Sequence, residues 1–202
     1  MCYNYDRENV RGGINMLNYR KIEPADDKAL AELIRANLEY CHLDIAGTVY
    51  FDPELDHMSG FYNADPQKRV YFTALDEAGH VIGGAGVAEF SGIANCAELQ
   101  KLYLSSTVRG RGYGKELLRL AESWARSAGY KNLYLETHTN LAVAIKLYER
   151  EGFRQIGKPA SAVHGGMDRF YLKGLQAETI AYYKRYTGKS ADARCNELIG
   201  KS

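Results

Sequence analysis

The chain has 202 residues, 46% of them hydrophobic, which fits one globular domain with a real core and some additional chain. The formal net charge is +1, from 26 Lys and Arg against 25 Asp and Glu, so neither the basic field of a nucleic-acid binder nor an acidic tail is present. Cys2, Cys41, Cys96 and Cys195 are scattered with no C-x-x-C pair, against a zinc site or a disulfide scaffold.

The chain starts without a signal-peptide pattern, and no apolar run is long enough to cross a bilayer, so no membrane contact and a cytoplasmic location are expected. Residues 1–16 are polar and aperiodic and are expected to form a flexible terminus. The main domain is expected over residues 17–174. Leu17–Ile22 alternates and predicts a first strand. Pro24 opens a helix in which Leu30, Leu33, Ile34 and Leu38 recur at helical spacing, with Asp26 and Asp27 in its favourable first turn. Residues 41–66 hold Gly47, Pro53, Gly60 and Pro66 among several aromatics, which points to a binding loop with a short helix near Pro53–Phe61. Tyrosine is abundant, 16 residues against 6 Phe, either by drift of composition or because a pocket is lined with amphipathic aromatics.

Arg69–Glu77 and Val81–Phe90 predict a hairpin. Cys96–Ser105 is a fourth strand whose apolar positions change phase, Leu99 being odd while Leu102 and Leu104 are even. That indicates burial on both faces or a bulge. From Gly112 the period becomes helical through Leu117, Leu118, Ala121, Trp124, Ala125 and Ala128, with Gly129 as its stop. Lys131–Glu136 is a fifth strand. Asn140 is expected to cap a helix that Gly152 ends. Phe153–Ile156 and Asp168–Lys173 are the last strands, and residues 175–202 are expected to hold one more helix and a polar tail. The order predicts one mixed α/β domain, a central sheet covered on both faces.

Arg109-Gly110-Arg111-Gly112-Tyr113-Gly114 stands where the fourth strand hands over to a helix. A P-loop fails here, because Arg109 and Glu116 replace its first glycine and its hydroxyl residue. A dinucleotide fingerprint fails because Lys115 stands where it needs glycine. What remains is a solvated basic turn or a pyrophosphate seat, in which open N–H groups, the helix dipole and Arg109, Arg111 and Lys115 hold an anion.

With the helix Asn140–Phe153, which carries Ala144, Ile145 and Tyr148, this turn resembles the GNAT family of N-acetyltransferases. The resemblance implies a mostly antiparallel mixed sheet splayed between strands 4 and 5, with acetyl-CoA as donor and a primary amine as acceptor. It implies that Leu102, Tyr103 and Leu104 offer backbone groups to the pantetheine arm. Val108, Arg109, Gly110, Arg111, Gly112, Tyr113, Gly114 and Lys115 would hold the pyrophosphate, and Asn140 and Ala144 would line the CoA side of the second motif. Tyr148 is the candidate acid for the leaving thiolate, or else a packing aromatic. Glu98 is the candidate base, with Glu89 as runner-up and ordered water as a further option.

His42, His57, His80, His138 and His164 show no metal-ligand spacing and are expected at the surface, so no metal is expected. Acceptor choice is expected to lie in residues 41–66 and about 157–170. There the acids, Asp52 before Pro53 among them, either face the amine or cap turns. The alternative function is a non-catalytic acyl-CoA-binding regulator. Acetylation of charged tRNA has no charge footprint in its favour. A homodimer is left open.

Overall fold

A computed structural model describes residues 17–162 and 164–175. The expected flexible terminus (1–16) and the expected helix and tail beyond 175 lie outside the described residues. The elements are β1 (Asn18–Lys21), α1 (Asp27–Tyr40), α2 (Met58–Ala64), β2 (Val70–Leu75), β3 (Val81–Phe90), β4 (Cys96–Leu104), α3 (Tyr113–Ser127), β5 (Asn132–Thr137), α4 (Ala142–Arg150), β6 (Arg154–Ile156) and β7 (Arg169–Gly174). Short 3-10 segments occur at Pro24–Asp26, Val49–Phe51, Pro53–His57 and Ser106–Val108.

The apolar stripes decide the layers. On one face of the sheet, Leu117, Leu118, Ala121, Trp124 and Ala125 of α3 pack on Phe72, Val87, Leu99, Leu133 and Leu135, with Tyr148 of α4 in the same cluster. On the other, Leu30, Ile34 and Leu38 of α1 join Leu55, Met58, Tyr62 and Tyr71. A fully buried Leu or Ile contributes about 1.5–3 kcal/mol, against a few tenths per residue from helix propensity, so burial holds α1. Two aspartates fix its start. Asp26 receives Arg20 at 2.5 and 2.8 Å, and the Asp27 carboxylate accepts the Ser59 N–H and hydroxyl at 2.8 and 2.6 Å, which ties α2 to α1.

The seven strands run β1-β2-β3-β4-β5-β7-β6, and only the β4–β5 step is parallel. That ladder begins at Cys96–Asn132 and ends at Glu98–Tyr134, after which the two strands part. β4 bulges just beyond. Gln100 faces Gly86 and Tyr103 faces Gly84, so Lys101 and Leu102 together stand against Ala85. Lys101 takes the left-handed φ of +50°. The extra residue inverts the alternation of side chains. Ala97 and Leu99 before it and Leu102 and Leu104 after it therefore face the same α3 cluster, while Tyr103 turns to the α1 side. The bulge accounts for the phase change in the sequence. It also increases local twist, on the stretch of β4 whose other edge has already parted from β5.

Candidate active site

Where β4 and β5 part, a cleft of about 720 Å³ opens, a size suited to a cofactor-sized molecule. Of the residues singled out from sequence, Glu98, Leu102, Tyr103, Leu104, Arg109, Gly110, Gly112, Gly114, Lys115, Asn140, Ala144 and Tyr148 line it. Val108, Arg111 and Tyr113 are not on its wall. Val108 packs on the core beneath, Tyr113 is buried and Arg111 is exposed.

The glycine-rich turn forms one end. Gly110 and Gly112 have φ of +77° and +90°, and a Cβ on either would meet no atom within 4 Å. Glycine is needed there for backbone conformation rather than for room. Gly112 is the N-cap of α3 and offers no side chain to its first turn, so the positive end of the helix dipole lies at Gly112, Gly114 and Lys115, which line the cleft. Gly112→Ala is expected to lower stability by about 1–2 kcal/mol through strain alone, read from the urea midpoint. An unchanged midpoint would show that the left-handed turn is not required.

The flanking cations have protein partners. The Arg109 guanidinium donates to Asn37 Oδ1 and lies 5.8 Å from the Tyr40 ring centre, both on α1. Lys115 Nζ is 2.7 Å from Glu151 Oε1, and Arg119 Nε is 3.1 Å from Glu151 Oε2. Burial works to raise the Glu151 carboxyl, but Lys115 and Arg119 outweigh it and hold it below the usual carboxylate range.

Asn140 does not cap α4, contrary to the sequence expectation. Leu141 occupies the N-cap position without a side-chain cap bond, and Asn140 Nδ2 donates across the cleft to Cys41 O at 2.9 Å. A carbonyl just past the end of α1 draws the amide away from its own helix.

The other end of the cleft holds the acid–base candidates. Glu98 and Tyr134 are paired neighbours on the α1 side of the sheet, whereas Tyr148 enters from the α3–α4 side. The splay lets both reach one gap. Tyr148 is 6% exposed, its ring 5.8 Å from that of Phe153 at a tilt. Burial pushes its phenol well above the usual range, so it carries a proton at neutral pH. Glu98 is 9% exposed. Its carboxyl is raised first by burial and then by the charge of Glu136, against a 2.7 Å bond from Gln100 Nε2. The Tyr62 hydroxyl donates to Gln100 Oε1 at 2.9 Å, which fixes the amide's direction. Glu89, the other candidate base, is not in the cleft. It makes a two-pronged pair with Arg69, with bonds as short as 2.5 Å, and that pairing holds its carboxyl low.

A charged cluster beside Glu98 had no signature in the sequence. His164, in the β6–β7 connection, places Nε2 3.3 Å from Asp52 Oδ1 and Nδ1 3.5 Å from Glu136 Oε2. Lys101 Nζ lies 3.2 Å from Asp52 Oδ2. His164 is therefore part of the cleft wall rather than a surface residue, because two carboxylates offset the loss of hydration. Asp52 makes no cap bond at Pro53, its carboxylate being taken by His164 and Lys101. The Gly166 N–H donates to Gly47 O at 2.9 Å, a second tie between the two loops expected to choose the acceptor. Among the described residues no cluster of His, Cys, Asp and Glu is arranged to hold a metal.

The hydrogen bond to Asp52, and then that to Glu136, raise His164 to about 9. A raised histidine stabilises the fold fully below its unfolded value of about 6.5, and the contribution is lost as pH rises to the folded value. Wild-type Tm is expected to fall between about pH 6.5 and 9 by more than the Tm of His164→Gln does. Parallel curves would show that the cluster adds nothing to stability.

The model of the acetyltransferase (GNAT) family matches residues 30–153. A relative from Escherichia coli (strain K12), called uncharacterized N-acetyltransferase YjgM, is 36% identical over 139 residues, 68% of this chain and 81% of that one. A solved acetyltransferase of the GNAT family from Staphylococcus aureus Mu50 superposes with a TM-score of 0.71 at 20% identity, covering 80% of this chain and all of that one. A phosphinothricin acetyltransferase from Sinorhizobium meliloti, solved with acetyl-CoA, gives 0.62 at 24% identity, with 79% and 88% covered.

Proposed function

The chain belongs to the GNAT family and is an acetyl-CoA-dependent N-acetyltransferase, and from that premise we propose how its own residues carry the reaction. The supporting observation is that the glycine turn, Tyr148 and Glu98 open on one cleft where β4 and β5 part. Acetyl-CoA brings an activated acetyl thioester, and the acceptor is a primary amine of a small molecule or peptide.

The residues fit that donor. Gly110 and Gly112 give the turn the left-handed backbone that sets a pyrophosphate against the first turn of α3, and Arg109, held by Asn37, adds positive charge beside it. Lys115 shares its charge between Glu151 and the phosphates. Leu102, Tyr103 and Leu104 present the open β4 edge to the pantetheine arm, as a strand presents its edge to a partner. Ala144 keeps the facing side of α4 low, and Asn140 holds α1 over the arm through Cys41.

At the reacting end, Glu98 takes the proton that the ammonium must lose before it attacks. A backbone N–H of the β4 bulge, at Leu102 or Tyr103, faces the charge that develops on the carbonyl oxygen. Tyr148 returns a proton to the departing sulfur, and burial keeps its phenol protonated until the thiolate forms. Both described cysteines, Cys41 and Cys96, are free thiols, which supports a reducing, cytoplasmic setting. The test is thiol release from acetyl-CoA against a panel of primary amines. Tight acetyl-CoA binding with no release by any amine would leave only a binding protein.

A further inference from the structure

We infer that Lys101 is a specificity-determining residue that receives a carboxylate of the acceptor, so that the acceptor class is the free amino acid, a zwitterion lying across the acceptor end of the cleft. The inference rests on the acetyltransferase reading above and narrows it.

Lys101 is the bulge residue of β4 and holds a left-handed φ of +50°. L-residues other than glycine and asparagine adopt that region only at a cost, and such outliers persist where the surroundings over-determine them. Here the Tyr71 hydroxyl, from a side chain 1% exposed, donates to Lys101 O at 3.0 Å and fixes the bulge from beneath. Glycine would relieve the backbone, yet the position carries a long cation. The bulge re-aims that side chain into the cleft wall, where it is only 10% exposed.

The charges around it sort by role. Asp52, behind the wall, neutralises Lys101 at 3.2 Å and His164 at 3.3 Å. His164 spends both ring nitrogens, on Asp52 and on Glu136, and keeps no donor for a ligand. Lys101 has three N–H donors and directs one at Asp52, so it retains donors for a second carboxylate. Glu98, from β4, stands on the same end of the cleft and receives an ammonium, while Glu136, from β5, is held by His164 and by the Tyr134 hydroxyl. Arg109 and Lys115, the cations of the glycine turn, belong to the opposite end. The acceptor end thus offers a cation with spare donors beside the Glu98 carboxylate, the complement of an amino acid's carboxylate and ammonium.

The experiment measures thiol release from acetyl-CoA by the full chain with amino acids and their decarboxylated partners: leucine with 3-methylbutylamine, and phenylalanine with phenethylamine. Acetyl-CoA affinity is measured separately by calorimetry. Wild type is expected to favour each amino acid in kcat/KM by roughly 10²-fold. Lys101→Met should remove that preference, chiefly through KM of the amino acid, with the amine and acetyl-CoA affinity unchanged. Lys101→Arg should keep most of it. Amines that serve as well as amino acids in wild type would overturn the inference while leaving the acetyltransferase reading intact. So would equal losses for both members of a pair in Lys101→Met, the mark of a purely structural tie to Asp52. Thiol release by no amine at all would sink that reading, and this inference with it.

Discussion

Tyr148→Phe is expected to lower kcat by roughly 10²–10³-fold while KM for acetyl-CoA stays within about twofold. The substitution keeps the ring, and the ring is what packs against Phe153, so the fold and the cleft wall persist. Only the proton donor is lost. A thiolate leaving a buried cleft has little water to stabilise it, and a phenol that burial keeps protonated supplies what solvent does not. The two parameters separate the roles. A packing aromatic would show in stability and donor affinity, whereas an acid acting on the leaving group shows in turnover. Equal kcat in wild type and Tyr148→Phe would remove Tyr148 from the chemistry.

Glu98→Gln carries the second large effect, a loss in kcat/KM of roughly 10²-fold or more together with the acidic limb of the pH profile. A base acts in its ionised form, so wild-type kcat/KM rises with pH as Glu98 loses its proton. Burial first, and then the charge of Glu136, place that rise above the ordinary carboxylate range. In the glutamine variant the limb should vanish, leaving the titration of the amine itself. The same shift bears on stability with a definite sign. A carboxyl whose folded pKa is raised weakens the fold as pH climbs from the unfolded value through the folded one. Glu98→Gln should therefore be the more stable protein above that window, although the less active one. A pH profile matching wild type would show that ordered water, and not Glu98, takes the proton.

The two predictions differ in how far each residue was legible. Tyr148 sits in a helix whose period, small Ala144 and glycine stop can all be read within a few turns of chain. Glu98 was legible as a strand residue near a bulge, but its depth was not, because depth depends on Gln100, Glu136 and Tyr62 arriving from separate elements. Glu89 shows the converse error. It lies one strand away with equally suitable chemistry, and only the register at the sheet's edge reveals that Arg69 holds it. Asn140 misleads for a similar reason. Its local context is that of a helix cap, and a distant carbonyl at Cys41 takes its amide instead.

Local regularities by themselves determined the hairpin, the phase change along β4, the α3 stripe and the glycine-rich turn before it. Each follows from neighbours whose backbone sterics and side-chain spacing act over a few residues. Hence a candidate anion seat was legible in the chain, while acetyl-CoA as donor follows from the family resemblance that this turn and the Tyr148 helix carry together. Only the tertiary structure brought together the charges at the other end of the cleft. Asp52 and His164 are 112 positions apart, and Lys101 and Glu136 come from strands that separate just before they would pair. No local rule brings those charges together. They meet because the sheet parts between β4 and β5 and the two loops fold over the gap, where burial makes each charge depend on the others for its partner.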